Sequence, residues 1–491
     1  MKETKVLAFD FGASSGRAMI GIFDGEKIRY EEAHRFTNDP VFIGDTFYWD
    51  ILRLFFEVKN GISSAANRYG DIKSIGFDTW GVDFGLLDEN GKLLDNPVHY
   101  RDERTNGMIE KVNAEIGSDY LYNATGIQFM SFNTLYQLLA LKNDRPDILS
   151  RAKTLLFTPD LLIYFLTGKK STEYSIASTS ALINPKLGSF NKELLEKLAL
   201  PTDIFTNIIT AGNVVGPISD SICNELSIKP INVVSVCEHD TGSAVVSIPS
   251  TEDNVLYISC GTWSLLGTEL LAPNISTECM NVGFTNEGGY NKTTRFLKNI
   301  IGLWIIQESR RQWEREGESL SFKDLDLLTI KAESRKCFIS PTNDMFMTPG
   351  NLPERIQNYC RDTNQEVPIG KGEIVRCITE SLALEYRYTI EELEKITKIK
   401  YDTIHIIGGG VQDKILCQAT ANATNRKVIA GPVEATALGN IAAQLIALGE
   451  IEDLKKAREI IKNSFEFDEY VPEDTELWNS SYEEFLKITN R

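Results

Sequence analysis

Val6-Leu7-Ala8-Phe9-Asp10-Phe11-Gly12-Ala13-Ser14-Ser15-Gly16-Arg17 decides how the rest of the chain is read. An apolar run of β type reaches an aspartate, passes through a loop of small residues, and resumes as a second apolar run from Ala18 to Phe23. This pattern predicts a tight β-hairpin with an acid at the end of its first strand. Gly12 and Gly16 relieve the backbone there, and the N–H groups of a small-residue loop can converge on an anion. Ser14 and Ser15 add hydroxyls, and Arg17 adds positive charge. Asp10 would repel a phosphate unless a cation lay between them, so the stretch suggests a magnesium-bridged nucleotide. No Gly-Lys-Ser/Thr follows, so it is not a P-loop. An ordinary Gly/Ser turn is the alternative.

Composition sets the outer limits. With 491 residues the chain exceeds one core, and two or three domains are expected. A net charge of −18 argues against a nucleic-acid surface or an anionic membrane as partner. No secretory signal and no membrane span is evident, and the eight cysteines show no Cys-x-x-Cys spacing, so the reading is a reducing cytoplasm. Cys360 and Cys377 are the pair that could join across a turn, with free thiols the simpler state. The four histidines form no His-x-x-x-His set, and no zinc site is expected.

Outward from the hairpin, Trp49-Asp50-Ile51 opens a helical pattern through Phe55, Val58 and Ile62. A strand from Ile72 then runs into Asp78-Thr79-Trp80-Gly81-Val82-Asp83, placed where α/β sheets meet their ligands. Trp80 is there either as an apolar wall for a sugar or as core. The charges of His99-Tyr100-Arg101-Asp102-Glu103-Arg104 read as a salt-bridged loop, with a substrate-side cluster as the alternative. A continuous apolar strand, Ile231 to Val236, delivers Cys237-Glu238-His239-Asp240-Thr241-Gly242 to the start of a small-residue helix. Asp240 is either a helix cap or a base at the floor of a cleft. A second hairpin carries Gly261-Thr262-Trp263-Ser264 at its turn and echoes the first without the acid. Two such hairpins predict two related domains facing each other, divided near Ser250-Thr251-Glu252-Asp253. Residues 295–311 read as a buried helix with Asn299 and Gln307 on one face, and residues 341–367 as an irregular surface excursion. A long amphipathic helix follows through Ile374, Ile378, Leu382, Tyr386 and Ile390. Gly408-Gly409-Gly410 ends a strand, where bare backbone suits adenine or ribose.

The order of these pieces resembles the FGGY carbohydrate kinases, within the actin and hexokinase ATPase superfamily, along almost the whole chain. The resemblance is carried by Asp10 to Arg17, Asp78 to Phe84, Phe132-Asn133-Thr134-Leu135-Tyr136-Gln137, His239-Asp240-Thr241, Gly261 to Leu265, Lys298 to Trp304 and Ala430 to Ala435. It implies an α/β fold of two ribonuclease H-like (actin/hexokinase-type) domains facing each other across a catalytic cleft, residues 1–249 and 250–491. It implies ATP and Mg2+ as cofactors and a small ketose as partner. The Trp80-Gly81 pair is similar to the branch acting on L-rhamnulose at its 1-hydroxyl, with L-fuculose or L-xylulose as alternative ketoses. An actin-like ATPase acting as chaperone or filament is the alternative of another class. By the same resemblance Asp240 is the general base, and Gly81, His239 and Thr241 help hold the sugar. Ala13, Ser14, Ser15, Gly16, Arg17, Thr262, Asn299, Gln307 and Gly410 contact ATP, and Asp10 lies by the metal. Glu238 departs from the pattern: an extra acid there either perturbs the base or points away from it.

Overall fold

The computed structural model describes residues 3–491. It divides into two compact units that do not correspond to a single cut in the chain. The first unit runs to Glu252 and takes up Glu269–Phe296 and Ala435–Phe465. The second comprises Asp253–Thr268, Leu297–Glu434 and Glu466–Arg491.

In the first unit β1 (Thr4–Phe11) and β2 (Ser15–Phe23) form the antiparallel hairpin read from the sequence, and β3 (Ile28–Thr37) extends it. Helix α1 (Ile51–Tyr69) begins where the Asp50 side chain accepts from the Arg53 N–H and lays Ile51, Leu54, Val58, Ile62 and Ala65 on the sheet. This three-and-four spacing is the stripe a one-sided helix needs. The chain returns as β4 (Ser74–Thr79), parallel to β1, with the Phe9 and Phe77 rings stacked 4.9 Å apart. Strands β5 (Asn213–Pro217) and β6 (Asn232–Ser235) complete a six-stranded sheet of order β5-β6-β4-β1-β2-β3. Beyond β6 lies α2 (Asp240–Val246).

The second unit repeats the scheme. Strands β7 (Leu256–Cys260) and β8 (Trp263–Leu270) make the second hairpin. The chain then adds β9 (Thr285–Gly288), which belongs to the first unit, and β10 (Thr294–Ile301), adjacent strands in one sheet. Helix α3 (Trp304–Arg315) follows, then α4 (Leu352–Asp362) and the 27-residue α5 (Lys371–Thr397). Strand β11 (Thr403–Ile407) is parallel to β7, as β4 is to β1. Helix α6 (Lys414–Thr424), strand β12 (Lys427–Ala430), helix α7 (Ala435–Ala447) and strand β13 (Asp468–Tyr470) follow in chain order.

Two expectations are corrected. Residues 295–311 are not one helix. They are β10, a break at Gly302 and the start of α3, so Asn299 sits on a strand and Gln307 on a helix. A continuous apolar run does not distinguish a buried strand from a buried helix. Residues 341–367 are not an irregular excursion either. They contain α4, started by the Asn351 side chain accepting from the Glu354 N–H, with Leu352, Ile356 and Cys360 buried at intervals of four.

Although late in sequence, α7 belongs to the first unit. Its Gln444 accepts from Ser74 Oγ (2.7 Å) and donates to the Leu7 carbonyl (3.1 Å). It crosses α2 so closely that a Cβ on Gly439 would lie 1.7 Å from the Ser243 carbonyl oxygen. That neighbour is backbone and cannot swing aside. Gly439→Ala is therefore expected to lower stability by at least about 1–3 kcal/mol, the usual range for overpacking, read as a denaturant midpoint shifted with unchanged slope.

Candidate active site

Four local features of the first unit bring its polar groups together. Pairing of β1 with β4 sets Asp10 beside Asp78, and pairing of β1 with β2 sets Asp10 opposite Arg17. Arg17 Nη2 lies 2.8 Å from Asp10 Oδ2. Asp78 is fully buried and its Oδ2 accepts from Asn440 Nδ2 on α7 (2.6 Å), while Oδ1 has no hydrogen-bond partner. Burial, and then the carboxylate of Asp10, push Asp78 well above the ordinary carboxylate range, with Asn440 offsetting part of the rise. An orphaned buried carboxylate oxygen beside a second carboxylate is what a hard divalent cation neutralises.

The end of β4 also positions the next group. The Thr79 N–H donates to the Glu238 carbonyl (2.9 Å) and Thr79 bridges to His239, which places Asp240 on the first turn of α2. Asp240 is not the cap; His239 occupies that position. Asp240 Oδ1 accepts from the Thr241 N–H (2.5 Å) and lies 3.3 Å from His239 Nε2. About a third of its side chain is exposed (34%), in contrast to the buried Asp78.

Behind the imidazole, Arg295 Nη2 is 2.9 Å from His239 Nδ1 and 3.1 Å from Glu287 Oε2. A guanidinium only donates, so Nδ1 accepts and the imidazole proton sits on Nε2, facing Asp240. Burial alone would raise Glu287, but Arg295 holds it below the ordinary carboxylate value. A carboxylate held down in this way stabilises the fold above its unfolded pKa, and that contribution is lost as pH falls through the folded value. Arg295→Met leaves a buried charge unpaired and is expected to cost about 3–5 kcal/mol at neutral pH. Melting curves across pH check this: the gap to wild type narrows as pH falls, first where Glu287 protonates in the variant and then, at lower pH, where it protonates in wild type.

Ala13 and Ser14 are exposed at the hairpin tip, and Gly16 packs under the Phe36 ring. Gly81 lies just past β4 against Thr179, and Thr241 is buried beside Asp240. Trp80 is core: its ring packs tilted against Trp49 with centroids 4.0 Å apart, and both indole N–H groups donate to Asp83. Burial raises Asp83 to about 6 despite those donors. His99 is likewise buried and pushed down to about 3, so it is neutral at pH 7. Glu238 points away from Asp240; burial, then Asp160 and Glu173, push it well up.

The second unit carries a separate set. The hairpin turn holds the start of α3, with the Gly302 and Trp304 N–H groups donating to the Thr262 carbonyl (3.1 and 3.2 Å). Thr262 Oγ1 reaches Gln307 Oε1 at 3.4 Å. In the triple glycine, Gly409 faces open space, whereas a Cβ on Gly410 would lie 2.2 Å from Cys260 Sγ. Gly410 is thus required by packing, and Gly409 supplies the bare backbone. Asp78, Glu287, Arg295 and Asn440 were not among the site residues read from the sequence. Arg295 had one signal, a cation directly before the apolar pair Phe296-Leu297 of β10.

The chain belongs to the FGGY family of carbohydrate kinases: the N-terminal domain of that family matches residues 5–247 and the C-terminal domain residues 256–448. It is similar to the rhamnulokinase of Oceanobacillus iheyensis, 43% identical over 94% of this chain and 97% of that one. It is also similar to the rhamnulokinase of Bacteroides thetaiotaomicron, 41% identical over 97% and 98%. The gluconate kinase of Lactobacillus acidophilus shares the fold, with a TM-score of 0.83 at 17% identity over 100% of this chain and 98% of that one. The two-domain α/β fold expected from the sequence is the one observed, and no described helix is long and apolar enough to cross a membrane.

Proposed function

We propose that this carbohydrate kinase transfers the γ-phosphoryl group of ATP to the 1-hydroxyl of L-rhamnulose, giving L-rhamnulose 1-phosphate and ADP in L-rhamnose breakdown. The observation that carries the reading is Asp240. Its Oδ1 is occupied by the Thr241 N–H and faced by the His239 Nε2 proton, while no described hydrogen bond reaches Oδ2. A carboxylate about a third exposed and fixed through one oxygen can accept a hydroxyl proton at the other. Phosphoryl transfer has a loose transition state, so a weak base suffices and most of the work is positioning and charge neutralisation.

His239, Thr241 and Gly81 are assigned to the ketose. Ala13, Ser14, Ser15, Gly16 and Arg17, with Thr262, Asn299, Gln307 and Gly410, are assigned to ATP. The carboxylates at Asp10 and Asp78 fit a magnesium ion, with Asp10 its holder; when bound, such an ion neutralises phosphate charge. Residues 1–249 and 250–491 remain the proposed functional halves, and the cytoplasm the proposed site of action. L-Fuculose and L-xylulose are competing acceptors. A ketose panel with a coupled ADP assay tests the reading: L-rhamnulose gives the highest kcat/KM, and a higher value for another ketose reassigns the substrate. ADP release indifferent to sugar would instead favour an actin-like ATPase.

A further inference from the structure

The second unit contains a cluster the kinase reaction does not use. Cys337, on the loop after residue 333, Cys360 on α4 and Cys377 on α5 are all buried, with their three Sγ atoms within 4.8 Å of one another. The chain brings them together from three separate elements, although no two lie within a metal-binding spacing in sequence. All eight cysteines are free thiols. We propose that Cys337, Cys360 and Cys377 form a binding site for one thiophilic d10 cation, of which Zn2+ is the representative.

Geometry comes first. A zinc–thiolate bond of about 2.3 Å sets sulfur–sulfur distances near about 3.8 Å in a tetrahedral site, so the three sulfurs close on a cation with adjustments of about 1 Å. Each cysteine is held by neighbours. The Gln365 N–H donates to the Cys360 carbonyl, and its side-chain amide brackets Phe338, next to Cys337, with bonds of 2.7 and 2.8 Å. Ser381 Oγ donates to the Cys377 carbonyl and accepts from the Ile339 N–H (2.9 Å). Such outer bonds fix ligand-bearing backbone before a metal arrives.

Access and charge agree. Cys337 and Cys377 line a surface pocket of about 20 Å³, space for one water or ion. Its other charged walls are Glu333, Glu366, Glu373 and Glu380 against Lys336 and Arg376, an acidic excess that favours entry of a cation. Binding converts three thiols to thiolates and releases up to three protons to solvent, with water available for the fourth position.

The test uses the whole chain, reduced and stripped with chelator under nitrogen, titrated with Cd2+ while thiolate-to-cadmium absorption is followed. The expected result is saturation at one equivalent, with Zn2+ competing for the same site. Cys337→Ser weakens binding at least a hundredfold, and Cys223→Ser, at a buried thiol in the first unit, leaves it unchanged. Absence of saturable binding by the wild-type chain overturns the proposal whether or not a variant folds. So does a thiol count on protein isolated without reductant that finds two of the three joined as a disulfide.

Discussion

Replacing Asp240 with Asn lowers kcat at least a hundredfold while ATP binding stays near wild type. The low end of the usual range for removing a positioned base, 10²–10⁴, is about 2.7 kcal/mol of transition-state stabilisation. The substitution is nearly isosteric. An amide oxygen in the Oδ1 position still accepts the Thr241 N–H, which is 2.5 Å away in the native chain. What changes is the second atom. A carboxylate oxygen able to take a proton becomes an NH₂ that can only donate. Single-turnover kinetics with saturating sugar isolate that loss from product release, and calorimetric titration of ATP checks binding. Retention of wild-type kcat would move the base to another residue.

Asp10→Ala produces the second large effect: activity and magnesium response fall together, so that the variant needs far more Mg2+ to reach a lower maximum. Three consequences of one deletion meet here. Arg17 loses a partner at 2.8 Å. Asp78 loses the neighbouring carboxylate that, after burial, does most to raise it, so its pKa moves down toward the ordinary range. The pair of carboxylates that suits a hard cation becomes a single buried one. Rates measured over a magnesium series at fixed ATP read the first outcome directly. An unchanged magnesium curve would remove Asp10 from the metal. Asp10→Asn, which keeps the shape and an acceptor for Arg17, separates loss of charge from loss of packing.

Both positions stood out in the sequence because each follows an apolar run of clear pattern. Asp10 ends an apolar run before a Gly/Ser turn, and Asp240 follows an apolar run and opens a helix. Their partners were less legible. Asn440 meets Asp78 only because α7, more than 350 residues later, packs into the first unit, and nothing local announces a tertiary contact of that kind. Glu287 and Arg295 sit on adjacent strands β9 and β10, but the second of these read as helix. Gly302, which separates strand from helix, was the overlooked punctuation. Helix α4 was hidden by Pro353 and the surrounding asparagines, although Pro in a first turn supports a helix rather than opposing it. The packing role of Gly410 depends on Cys260, at the end of β7, and was equally out of reach.

The most direct measurement is the identity of the product. Purified protein is incubated with ATP, Mg2+ and L-rhamnulose, and the products are examined by phosphorus and proton NMR. Formation of one phosphosugar whose phosphorus couples to the protons on carbon 1, in equal amount to ADP, is the predicted result. Inorganic phosphate released at the same rate with and without the sugar, and no phosphosugar, would contradict it.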